Sequence, residues 1–103
     1  PDLWAAGGMM AAIMVVDGLE ASEGDSSAGA LIGVYEDDFQ FEGPKGSVII
    51  RPYDHVALQN LYFVEVDNVT DPELKFVELL QNFSPEETAP PCQLPEEYAD
   101  RCP

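Results

Sequence analysis

A chain of 103 residues with 46% hydrophobic side chains has the length and apolar content for one domain's core. Twenty acidic residues oppose four basic ones, giving a formal net charge of −16. Such a polyanion repels phosphate backbones and anionic lipid, which argues against nucleic-acid and membrane-surface partners.

Lys45, Arg51, Lys75 and Arg101 are too scattered to build a positive patch. Ten acids precede Glu65 and ten run from it onward, so an acidic surface is expected rather than one acidic tail. A salt-rich habitat would suit such a surface. The longest uninterrupted apolar run, Met9 to Val16, is shorter than the roughly 20 residues a spanning helix needs, so no membrane insertion is expected.

Residues 3–21 read as a helix. Trp4, Ala11, Val15 and Leu19 fall near helical spacing, while Met9, Met10, Ile13 and Met14 make the other side apolar too. A helix apolar nearly all round is usually buried between layers, as in α/β proteins. Gly7 and Gly8 each weaken it by roughly 1 kcal/mol relative to Ala, so close backbone packing is expected there. A loop follows from Glu20 to Ser27, with Asp25 or Ser26 available as the N-cap of a second helix reaching about Tyr35.

Phe39 to Phe41 alternates like a short strand, and Gly43-Pro44-Lys45-Gly46 is a strong turn signal. Ser47 to Arg51 is β-branched and strand-like, Pro52 to Asn60 reads as a connection, and Leu61 to Val66 as a strand. Residues 39–66 therefore look like short antiparallel strands. The next stretch supports two readings. Thr70-Asp71-Pro72-Glu73 has the form of a capping box leading into a helix, whereas residues 75–79 could instead pair with 61–66 as a strand. From Ser84 onward Pro85, Pro90, Pro91, Pro95 and Pro103 impose an extended, irregular tail. Residues 1–83 and 84–103 thus divide into a folded part and a tail.

Three stretches carry a resemblance over nearly the whole chain. PDLWAAGGMMAAIMVVDGLEAS is similar to the late lobe-packing helix of the type I periplasmic binding proteins, in their branched-chain amino-acid branch. ALIGVYEDDFQFEGPKGSVIIRPYDHVALQNLYFVEV is similar to the helix, Gly-Pro-x-Gly turn and strand pair that follow it. ELLQNFSPEETAPPC is similar to their closing strand and proline-rich tail. The middle stretch is the most specific.

The resemblance implies a two-lobed α/β fold that closes over a small solute. This chain would be its C-terminal portion: two helices, short antiparallel strands and an irregular tail, with the groups that grip the ligand lying upstream. It also favours a strand over residues 74–81. The implied function is non-catalytic delivery of an amino acid or analogue to the permease subunits of an ABC importer. The implied location is periplasmic or extracellular, free or lipid-anchored. The alternative is the same fold serving as the ligand-binding region of a receptor.

Trp4 matches the family position whose aromatic or large apolar side chain lines the interlobe cleft; its other reading is a core anchor for the helix. Where the family often has a tyrosine-aspartate pair, this chain has Gly7-Gly8, which leaves the ligand class open.

Cys92 and Cys102 flank a polar segment in the tail. They read as a disulfide formed in an oxidising compartment, with two free thiols as the alternative. His55 beside Asp54 lacks a neighbouring nucleophile and reads as a turn in which Asp54 caps backbone N–H groups. Glu36-Asp37-Asp38 lacks the glycine and alternating ligand spacing of a calcium loop. No metal or cofactor is expected.

Overall fold

A computed structural model describes residues 3–67, 70–73 and 77–103. Helix α1 spans Leu3–Ala21 and α2 spans Ala28–Tyr35. Strands β1 (Gln40–Gly43), β2 (Gly46–Ile50) and β3 (Ala57–Gln59) form an antiparallel sheet in that order. Strands β4 (Leu61–Val66) and β5 (Val77–Phe83) form a separate antiparallel ribbon. A 3-10 helix, Glu96–Arg101, closes the tail. The architecture is mixed α and β, with small antiparallel sheets.

Helix α1 ends in a Schellman arrangement. Gly24 N–H donates to Leu19 O at 2.8 Å and Glu23 N–H to Glu20 O at 3.1 Å. Glu23 takes the left-handed position, with φ of 55°, where glycine is normally found. The N-cap of α2 is Ser27, one residue beyond the expected candidates, and its hydroxyl accepts from Ala30 N–H. Asp25 instead accepts from Ser27 N–H at 2.9 Å, so it braces the cap without being it.

The GPKG turn joins β1 to β2 through Pro44 and Lys45, with Gly43 paired to Gly46. Gly46 sits at φ of 93°, a conformation a Cβ would strain. The expected connection 52–60 contains β3, whose three residues pair with Val48 to Ile50. Alternation is too short over Ala57–Gln59 to announce a strand.

The strand reading of the later segment holds from Val77 to Phe83, three residues beyond the expected start; positions 74–76 lie outside the described residues. Asp71 accepts from Glu73 N–H at 2.8 Å as an Asx turn, so Thr70 to Glu73 opens no capping box. The reciprocal bonds of a capping box occur instead at Ser84 and Glu87. Ser84 N–H donates to Glu87 Oε2 at 2.8 Å, and Glu87 N–H to Ser84 Oγ at 3.3 Å.

The core is small: Met10, Phe41, Val48 and Ile50 are buried, with Ile13, Met14, Tyr35 and Phe39 packed around them. Gly43 lets α1 approach the sheet, since a Cβ there would overlap Met10 Sδ. Gly18 does the same for α2, whose Tyr35 ring occupies the space and donates its hydroxyl to Met14 O at 3.3 Å. A Cβ at Gly7 or Gly8 would meet nothing beyond their own helix within 4 Å, so the close packing expected of them is not made by the described residues.

Only one side of α1 is covered. Trp4, Met9, Val15 and Val16 are exposed, and every residue of β4 is exposed on the ribbon. The radius of gyration, 17.1 Å, exceeds the ~13 Å of a compact domain this long, because the ribbon stands off the core.

Glu23 pays the steric cost of a left-handed residue in an exposed turn. Glu23→Gly should therefore stabilise the fold by about 0.5–1 kcal/mol, read as a higher urea midpoint at unchanged slope.

Candidate functional site

The densest polar constellation surrounds the turn Arg51-Pro52-Tyr53-Asp54-His55. Two backbone bonds shape it: Arg51 N–H to Val56 O at 2.9 Å and His55 N–H to Arg51 O at 2.8 Å. His55 adopts φ of 60°, which turns its ring toward the end of α2. Arg51 is buried and grips Asp54 with two nitrogens, Nε donating to Oδ1 at 2.8 Å and Nη2 to Oδ2. Its Nη1 donates to Pro90 O of the tail at 2.8 Å, and its guanidinium lies 4.7 Å from the centre of the Tyr53 ring. Asp54 also accepts from Val56 N–H at 3.3 Å, the capping role expected of it.

A second cluster gathers on Glu36. Its Oε1 accepts from His55 Nε2 at 2.7 Å and from Arg101 Nη2 at 2.5 Å. Arg101 also donates to Pro52 O at 3.1 Å. The end of α2, the 51–56 turn and the end of the tail thus meet at one carboxylate. Glu36, Arg51 and Arg101 were not legible as partners, since 65 residues separate Glu36 from Arg101. The nearest signal was local: an Arg at a strand end with an Asp three residues on.

The Cys92–Cys102 disulfide is formed, with Cα atoms 5.7 Å apart. Trp4 lies near the start of α1 and is 83% exposed. It is far from core burial, and nothing in the structure seats it against a polar cluster.

Among the described residues, apolar clefts flank α1. A cleft of about 140 Å³ is lined by Met14, Ile32, Tyr35, Ile50 and His55. A more open one of about 230 Å³ lies where Gly7, Met10, Ala11 and Met14 face Phe41 and Val48. Among the described residues no three His, Cys, Asp or Glu side chains converge as a metal site. Among the described residues His55 is hydrogen-bonded to the Glu36 carboxylate, a contact that holds the end of α2 against the 51–56 turn.

No family model, curated protein or solved structure matches the chain.

The hydrogen bonds from His55 and then Arg101 hold the Glu36 carboxyl below the usual carboxylate value, and the Arg51 hydrogen bond does the same for Asp54. A depressed carboxyl adds stability above its unfolded-state pKa and loses it as pH falls through the lower folded value. Stability measured by urea unfolding should therefore decline below about pH 4. Asp54→Asn should reduce that acid dependence and cost about 2–3 kcal/mol at pH 7, because it leaves buried Arg51 without its counterion. Glu36→Gln, at an exposed pair that solvent screens, should cost less than Asp54→Asn.

Proposed function

We propose that these residues form the C-terminal portion of an extracytoplasmic solute-binding protein of the type I periplasmic kind, delivering an amino acid or related small polar solute to an ABC permease. The observation that carries the reading is the apolar surface this chain cannot cover: the flank of α1 bearing Met9, Val15 and Val16, and the ribbon residues Leu61 to Val66. A helix and a ribbon of this kind are built to lie inside a layered α/β protein. The element order, two helices, a GPKG hairpin and a strand pair, supports the same reading through the family resemblance.

On this reading the function is capture, not catalysis. Upstream groups hold the ligand's charged ends, and exposed Trp4 lends an indole face to its side chain. Lobe closure by a hinge presents the solute to the permease. The disulfide fits an oxidising compartment.

Over Trp4–Ala21, α1 reaches a mean hydropathy of 1.2, long and apolar enough by length and composition to cross a membrane, although its uninterrupted apolar run is shorter. Against that reading, Asp17 and Glu20 fall inside the segment and Met10 is buried against the sheet. Both features suit a helix covered by protein.

A panel of amino acids, amides and small carboxylates against the full-length protein should include one that raises the melting temperature. A ligand at a hundred times its Kd adds about 2.7 kcal/mol. Trp4→Ala should weaken that ligand by roughly tenfold while leaving the unliganded melting temperature in place. Silence across the whole panel would remove the transport reading.

Residues 1–103 expressed alone should aggregate or bind a hydrophobic dye. A monomeric, cooperative unfolding transition without dye binding would show instead that these surfaces need no cover.

A further inference from the structure

We propose that the Cys92–Cys102 loop is a thiol-labile clasp, which sets Arg101 on Glu36 and so keeps the proline-rich tail closed over the free edge of β3. The inference stands on contacts within this chain and does not depend on the solute-binding reading.

Among the described residues, the strand order leaves β3 at one side of its sheet with no strand beyond it. The tail runs along that side. Arg51 Nη1 donates to Pro90 O, and Thr88, whose hydroxyl donates to Ser84 O at 3.1 Å and lies 3.4 Å from Gln59 O, shares a groove with Pro90 and Val56 to Gln59. Prolines at 85, 90, 91 and 95 have no N–H to offer, so the tail shields the strand edge without extending the sheet.

Beyond Pro91, the tail's outer half is anchored at its far end. Arg101 reaches Glu36 and Pro52 O, and its neighbour Cys102 closes the bridge. An exposed ion pair on a loose terminus is weak, because two long side chains and the backbone between them must all be immobilised. The bridge removes most of that backbone freedom beforehand. The 3-10 helix inside the loop, with Cys102 N–H donating to Ala99 O at 3.2 Å, fixes the direction in which Arg101 leaves the chain.

A dithiol reductant opens the clasp. Two electrons and two protons pass to the bridge, the S–S bond breaks, Cys92 and Cys102 become thiols, and the reductant leaves as its own disulfide. Residues 92–102 then lose their constraint, Arg101 leaves Glu36, and the tail keeps only its inner contacts at Thr88 and Pro90 over the edge of β3. Glu36 keeps His55 alone, so the His55 ring is a direct reporter of closure.

The test uses the full-length protein. The His55 ring resonance is identified by its loss in His55→Gln, and backbone hydrogen exchange is followed by peptide mass spectrometry. Cys92→Ser/Cys102→Ser isolates this bridge from any other. The double variant, dithiothreitol treatment, and Arg101→Ala in the oxidised protein should each move the His55 resonance in the same direction. Exchange over residues 57–59 should accelerate on the order of tenfold while residues 46–50 keep their protection. An unchanged His55 resonance and unchanged 57–59 exchange in the double variant would overturn the clasp. So would equal acceleration across 46–50, which would make the bridge a support of the whole fold.

Discussion

Arg51 is the residue on which the arrangement of this chain depends. It follows β2, where the chain must turn back into β3, and its side chain is buried. A guanidinium removed from water needs a counterion and acceptors for its remaining N–H groups. Asp54, three residues on, supplies the charge through paired bonds, and Pro90 O takes a further N–H. Tyr53 lies against the guanidinium plane. Satisfying one cation thereby fixes the shape of the β2–β3 turn and the path of the tail. The same turn presents His55 at positive φ to Glu36, so the turn geometry also fixes where α2 ends against the sheet.

The strong negative charge and the apolar surface occupy different places. The acids cluster in turns and caps: Glu23 to Asp25 after α1, Glu36 to Asp38 after α2, Glu86-Glu87 and Glu96-Glu97 in the tail. Across its 19 residues, α1 carries only Asp17 and Glu20. The charge therefore solvates the loops and leaves the helix flank as apolar as its sequence suggests. A helix whose flank faced water would normally carry charges along it.

Both helices, the GPKG hairpin and strand β4 were legible because each rests on a local cue: helical spacing, a proline with permissive glycines, alternation. Three features escaped for physical reasons. Strand β3 is too short to alternate visibly. The N-cap fell to Ser27 because Asp25 accepts from Ser27 N–H, leaving the Ser27 hydroxyl to accept from Ala30 N–H. The Ser/Thr-x-x-Glu signature occurs twice, at Thr70 and at Ser84, and the structure forms its reciprocal bonds at Ser84, followed by Pro85 in the position proline favours. At the site, Asp54's cap and the disulfide were readable from neighbours. The Glu36–His55–Arg101 meeting was not, since it exists only once the tail has returned to α2.

The ribbon shows the same logic at the level of register. Phe63 pairs with Gln81 but Val64 pairs with Leu79, so a bulge at Leu80 shifts the alignment by one residue. Past it, Val64 faces Leu79, Glu65 faces Glu78 and Val66 faces Val77. Without the bulge Val64 would meet Leu80, Glu65 would meet Leu79 and Val66 would meet Glu78, mixing charge into both faces. With it, Tyr62, Val64, Val66, Val77 and Leu79 share one face by simple alternation, while Glu65 and Glu78 share the other with Leu61, Phe63 and Phe83. Like charges placed opposite each other are unfavourable, and they are tolerable only where water screens them. The glutamate end of that face is thus suited to solvent, and the face bearing Val64, Val66, Val77 and Leu79 is the one that a further layer of protein would cover.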